Sequence, residues 1–323
     1  MSAVAPCDAT RWPHGVRRAR SHGVGAHRHV RSRRPLAGYL HRVRATSLLW
    51  QRTGTGEQLL LLHGLGSTSD DFAELVPRLS RKFEVLTVDL PGHGQSAPLD
   101  VTPTVGALTD LLESDLDRLG FDRVHVLGNS LGGRVALELA RRHRARSVVA
   151  IAPSGMSLPA ERVYQTLAMA GARVTLRRMH GLIEPLSQWK SGRALLLAGL
   201  RARPARASSA EAQAVQGGFA ESTGFWRMLW WTVVADVPTG LKDVDCPVVL
   251  AQGTRDLLSG GQTPRYLWLV PGSRFHPLVR AGHAPHSDSP DDIIRLIHIA
   301  THAENEESHV SRRPAHHDDG DTA

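Results

Sequence analysis

The chain has 323 residues, 39 Lys+Arg against 31 Asp+Glu, a net charge of +8 and 41% apolar residues. No run of 18 or more apolar residues is present, and the first thirty residues lack the apolar stretch of a secretory signal, so neither a transmembrane helix nor an export leader is expected. Two cysteines, Cys7 and Cys246, cannot build a disulfide framework and belong to no CxxC motif, a usage that fits a reducing cytoplasm.

The charge is unevenly spread. Residues 1–35 hold eight arginines and one acid, Asp8, for +7; residues 301–323 hold six acids and two arginines, for −4; the middle, 36–300, carries +5. Residues 1–35 show no apolar period and read as a disordered basic tail, and residues 304–323 as a second disordered tail. A nucleic-acid partner is therefore not expected, because most of the excess charge lies outside the part with a core. His27, His29, His316 and His317 sit in these tails without fixed geometry, so no metal site is expected.

Between the tails, strands alternate with helices. Leu59–Leu62 is a continuous apolar run ending at His63-Gly64, as expected of a strand buried on both faces. Asp71–Leu79 spaces Phe72, Leu75, Val76 and Leu79 as an amphipathic helix. Phe83–Asp89 reads as a strand ending in the turn Pro91-Gly92-His93-Gly94. Val105–Leu119 reads as a helix closed by Gly120 just past its end. Arg123–Leu127 is a strand and Leu131–His143 a helix. Ser147–Ala152, Pro247–Gln252 and Ser273–Val279 are further strands, and Asp291–Ala303 a last helix. Repeated βα units imply a mostly parallel sheet with helices on both faces. Residues 156–240 break the alternation; their helical periodicity predicts a helical cap inserted into a core made of 36–155 and 241–303.

The motif with the clearest chemistry is Gly128-Asn129-Ser130-Leu131-Gly132-Gly133, a G-x-S-x-G between a strand and a helix. A serine nucleophile there must project from a sharp turn, and side chains two residues before or after it would collide as strand and helix converge. A nucleophilic serine needs a base and an orienting acid. The base expected is His283, in the Gly282-His283-Ala284-Pro285 loop before the last helix, in preference to His286, with Gly282 allowing a sharp turn. The acid expected is Asp256, in Gly253-Thr254-Arg255-Asp256 after the strand Pro247–Gln252. The turn after the strand Ser147–Ala152 carries no carboxylate. The Leu65 amide of His63-Gly64-Leu65-Gly66, together with the Leu131 amide, is the expected oxyanion hole. The turn Asp89–Ser96 is read as structural, with Asp89 and Ser96 fixing it and His93 outside the chemistry.

Five segments in this order resemble the α/β-hydrolase superfamily over roughly residues 38–300. They are His63-Gly64, Asp89…Gly92-His93-Gly94…Ser96, Gly128-Asn129-Ser130-Leu131-Gly132, Gly253-Thr254-Arg255-Asp256 and Gly282-His283…Pro290. The resemblance implies an α/β-hydrolase sheet with a helical cap. The acid turn lacks the usual later proline, and Asp288 or Ser289 stands where the histidine loop usually carries glutamate. Relatives resembling haloalkane dehalogenases and epoxide hydrolases use aspartate at the nucleophile position, where this chain has Ser130. The chain is therefore expected to be a serine hydrolase of a small, largely apolar carboxylic ester. A carbon–carbon hydrolase or an acyltransferase on the same triad is the alternative. A non-catalytic binding protein on this scaffold would be marked by loss of a triad residue, and none is lost. No cofactor is implied, since no phosphate loop or GxGxxG follows a strand. The expected partner is a small-molecule substrate, with a homo-oligomer left open. In the cap, Trp226 and Trp230 are candidate pocket residues. Arg173, Arg177, Arg178, Arg193, Arg201, Arg203 and Arg206 are read as a solvated face.

Overall fold

The computed structural model describes the backbone of residues 41–44 and 48–311 and the side chains of residues 48–304. The expectations for residues 1–35 and 312–323 lie outside the described residues. The strands are β1 (His41–Arg44), β2 (Leu49–Thr53), β3 (Glu57–Leu62), β4 (Phe83–Val88), β5 (Val124–Asn129), β6 (Ala145–Ile151), β7 (Val248–Gly253) and β8 (Arg274–Leu278). They form one sheet in the order β1-β2-β4-β3-β5-β6-β7-β8. From β4 across to β8 every neighbouring pair is parallel, while β2 runs antiparallel to β4 and β1 antiparallel to β2.

The helices outside the insertion are α1 (Val76–Leu79), α2 (Val105–Leu119) and α3 (Leu131–Arg141). Within it lie α4 (Pro159–Arg178), α5 (His180–Ser187), α6 (Lys190–Leu196), α7 (Ser209–Glu221) and α8 (Phe225–Met228). The chain closes with α9 (Gln262–Arg265) and α10 (Pro290–Ser311). Successive strand residues face opposite sides of a sheet, and β3 shows the consequence. Leu59 and Leu61 enter one apolar layer with Phe72, Leu75, Ile293 and Leu296, whereas Leu60 and Leu62 enter the other with Leu108, Leu112, Val135 and Leu139. A strand covered on both faces has to be apolar throughout. Helix α2 ends as expected: Gly120 takes φ +80° and its N–H reaches the Leu116 and Asp117 carbonyls.

Three boundaries differ from the sequence reading. The helix expected over Asp71–Leu79 is split into a 3₁₀ turn, Ser69–Phe72, and α1, with Pro77 in the first turn of α1. Proline suits the first turn, where its missing N–H would have no partner within the helix anyway. The antiparallel strands β1 and β2 were not anticipated. Helix α10 continues through Ser311, past the expected boundary at Ala303, through a stretch that includes three glutamates.

Strand order reverses around β3, since β4 lies on one side of it and β5 on the other. The carboxyl ends of β3 and β5 therefore flank a switch point, where open α/β sheets place their ligands. Residues 63–66 and 130 emerge there.

Candidate active site

Ser130 follows β5 directly and precedes α3, with φ +56° and ψ −115°. A serine held in this unfavourable region requires surroundings that fix it. Its N–H donates to the Ile151 carbonyl at 2.8 Å, and its carbonyl accepts from Arg134 N–H at 3.0 Å and Ser154 N–H at 3.2 Å. The flanking glycines are steric necessities. A Cβ on Gly128 would lie 2.2 Å from the Gly132 oxygen, and one on Gly132 would lie 2.1 Å from the Leu62 oxygen. Gly132→Ala is therefore expected to lower stability by about 3 kcal/mol, because only backbone could yield. The control is Gly217→Ala in α7, where nothing beyond the helix's own nearby backbone lies within 4 Å of the added Cβ. Equal urea midpoints for the two variants would remove the steric account.

Asp256 and His283 come together at the ends of β7 and β8. His283 Nδ1 lies 3.0 Å from Asp256 Oδ2, and both side chains are buried. Asp256 Oδ1 also accepts from the Leu258 and Ser259 amides, each at 2.9 Å, while the Ser259 hydroxyl donates to Oδ2. Burial alone would raise the Asp256 carboxyl, but the charge of His283 and the hydrogen bonds from His283 and Ser259 outweigh it and hold the group down at about 2. In the sequence Asn129 stands out only as a letter of the serine motif. Its amide donates to the His283 carbonyl at 3.0 Å and to the Ile151 carbonyl at 3.3 Å, tying the serine turn to the histidine loop. Gly282 serves a purpose other than the sharp turn expected of it. A Cβ there would sit 2.6 Å from the Leu200 oxygen, so the glycine lets the inserted segment press against the histidine loop. His286 is fully buried against the Phe72 ring, with centroids 4.8 Å apart.

Neither the Leu65 nor the Leu131 N–H has an acceptor among the described residues. Leu131 opens α3, where orphan amides face outward. The Leu65 turn is held by two buried histidines laced in opposite directions. Leu90 N–H donates to His63 Nε2 at 2.9 Å, and Gly66 N–H donates to His93 Nε2 at 2.9 Å. The remaining nitrogen of each ring faces a carbonyl, His63 Nδ1 that of Gly64 at 2.8 Å and His93 Nδ1 that of Pro91 at 3.0 Å. Both rings thus carry their proton on Nδ1. Asp89 accepts from Ser69 N–H and Gln95 N–H, and Ser96 from Leu49 N–H, so these two residues fix the turn that carries His93.

Ser130, His283, Gly64 and Leu65 line a cavity of about 430 Å³. Most of the rest of its wall is apolar and comes from the insertion, with Met169, Leu176, Ile183, Leu196, Val215 and Phe219 among its lining residues. Trp226 and Trp230, the candidate pocket residues, are not in that wall; they are 48% and 58% exposed. The segment from α8 into the π-helical turn Leu229–Ala235 buries Phe225, Met228, Leu229 and Thr232, which leaves the tryptophans on the opposite face. Two of the arginines read as solvated are buried. Arg173 donates to the Phe219 and Ser222 carbonyls, and Arg201 pairs with Asp71 at 3.4 Å and Glu211 at 3.2 Å. Buried guanidinium groups need such partners.

Known proteins bear on this arrangement. A pimeloyl-[acyl-carrier protein] methyl ester esterase of Chromobacterium violaceum is 27% identical over 262 residues, covering 80% of this chain and all of that protein. The epoxide hydrolase EphH of Mycobacterium tuberculosis is 33% identical over 199 residues, covering 59% of this chain and 91% of that protein. The enol-lactonase of Burkholderia xenovorans LB400 shares the fold with a TM-score of 0.61 at 22% identity, over 77% of this chain and 94% of that one. Among the described residues no helix is long and apolar enough to cross a membrane. The model of the alpha/beta hydrolase family matches residues 59–296, and the chain is a member of that family and an enzyme of the hydrolase type.

Proposed function

We propose that the chain is a serine carboxylesterase that cleaves a small, largely apolar ester through an acyl-enzyme. The observation that carries this reading is a strained Ser130 and a His283 paired with Asp256 at the wall of one chiefly apolar cavity, beside the Leu65 and Leu131 amides, which have no acceptor among the described residues. Ser130 Oγ attacks the ester carbonyl while His283 takes its proton. The Leu65 and Leu131 N–H groups receive the oxyanion, each contributing about 3 kcal/mol in related chemistry. His283 then returns the proton to the leaving alcohol, and water, activated by the same imidazole, releases the acid. Asp256, ionised well below neutral pH, keeps the imidazole oriented and offsets its charge. One relative is named as an epoxide hydrolase, but Ser130 at the nucleophile position favours acyl chemistry over epoxide opening.

The expected result with a fluorophosphonate probe is stoichiometric labelling at Ser130, lost in Ser130→Ala, with p-nitrophenyl esters hydrolysed by the wild type only. An unlabelled folded wild type, or full esterase activity in Ser130→Ala, would sink the proposal. A labelled enzyme that ignores esters but cleaves a vinylogous diketone would transfer the triad to carbon–carbon hydrolysis.

A further inference from the structure

We propose that Asp288 is a positioning residue that locks the cavity wall to His283, an inference that rests on the reading of His283 given above. The carboxylate is buried, 6% exposed, and takes three backbone N–H groups, one from six residues back in its own loop and two from the remote insertion. Its Oδ2 accepts from Gly282 N–H at 2.9 Å and Ala202 N–H at 2.7 Å, and its Oδ1 accepts from Arg203 N–H at 3.1 Å. Its own carbonyl accepts from the Arg203 guanidinium. On the other side of His283, Ala284 N–H donates to the Leu200 carbonyl at 3.0 Å. The histidine is therefore bracketed, residue before and residue after, by one strap of the insertion, Leu200–Arg203.

That strap is also cavity wall. Leu200 and Arg201 both line the cavity. The Arg201 side chain, through Asp71 and Glu211, ties the strap to the segment after the oxyanion turn and to α7. Displacing the wall therefore displaces the loop that aims the imidazole. The chemistry of position 288 suits this task. Burying a carboxylate is costly unless N–H groups converge on it, and here three do. An asparagine of the same shape would turn an amide N–H toward at least one of those donors, since both carboxylate oxygens accept.

The test compares Asp288→Asn with wild type in the full chain, well below the melting temperature. The substrates are p-nitrophenyl acetate, whose acyl group is too short to pack on the wall, and p-nitrophenyl octanoate. On the acetate, kcat is expected to fall at least about tenfold with KM nearly unchanged, since a small misplacement of a reacting group costs rate rather than binding. Fluorophosphonate labelling of Ser130 should slow by the same factor, and KM for the octanoate should rise as well. Asp291→Asn, at the exposed start of α10, should leave all of these unchanged. A folded Asp288→Asn enzyme whose kcat and labelling rate stay within about twofold of wild type overturns the inference while leaving the esterase reading intact. A wild type that neither labels nor hydrolyses overturns the reading of Ser130 and the inference with it. Should Asp288→Asn fail to fold, hydrogen exchange on the wild type decides. The Gly282, Ala202 and Arg203 amides should open together, and independent opening overturns the proposal.

Discussion

His283→Ala is expected to reduce kcat on p-nitrophenyl esters by about 10⁴- to 10⁶-fold, with a native circular dichroism spectrum. The size of the loss follows because no other histidine among the described residues lines the cavity with Ser130. His286 is the other histidine of the same loop, but it faces Phe72, does not line the cavity, and burial holds it down at about 3. His63 and His93 are committed to backbone partners at both nitrogens. Once the imidazole is gone, the Leu65 and Leu131 amides still stabilise the oxyanion, so residual turnover above the uncatalysed rate should survive. Asp256→Asn should cost about 10⁴-fold, because the orienting acceptor for His283 is replaced by a neutral amide. His286→Phe should leave kcat within about threefold, and that contrast separates the two histidines. Activity in His283→Ala within tenfold of wild type would place the base elsewhere.

Candidates that sit in a local motif, as Ser130, Asp256 and His283 do, can be named from the sequence; residues whose part depends only on a remote partner cannot. Gly128, Ser130 and Gly132 declare a tight strand–helix turn by spacing alone, and the collision distances at the two glycines show why no larger residue fits. Asn129 carried no such signal, since its bond to the His283 carbonyl spans 154 positions. The partners of Asp288 in the strap are equally remote. The tryptophans failed for a different reason. Trp226 and Trp230 have helical spacing, but so do Phe225, Met228, Leu229 and Thr232, and periodicity does not say which of two interleaved stripes meets the core. Arg173 and Arg201 show the same limit for charge. A run of arginines normally marks a wet face, and only the carbonyls and carboxylates brought to these two make burial tolerable.

Acidification should destabilise the protein well before its carboxylates are protonated. Four buried histidines, His63, His93, His125 and His286, are held below their ordinary value by burial, His93 and His286 to about 3 and His125 to about 4. Nearby carboxylates, Asp89 for His63 and Asp71 for His286, pull the other way without offsetting the burial, and the positive charges of Arg173 near His93 and Arg201 near His286 reinforce it. In the unfolded chain each imidazole titrates near its ordinary value of about 6.5. Between that value and the folded one, the unfolded state binds more protons, so stability rises with pH across the window and falls on acidification through it. His93 and His286 should each remove about 2 kcal/mol between pH 7.5 and pH 5. Asp256 has the opposite linkage. Its contribution is complete above about pH 4 and is lost only as pH falls toward 2, so it stays silent in this range. Urea unfolding at pH 7.5 and pH 5 should therefore show a fall of at least about 4 kcal/mol, and His286→Phe should flatten the pH dependence by about 1.4 kcal/mol per pH unit below 6. A midpoint that does not move between the two pH values would mean that these rings accept protons in the folded state, contrary to the two-way hydrogen bonding of His93 and the apolar packing of His286.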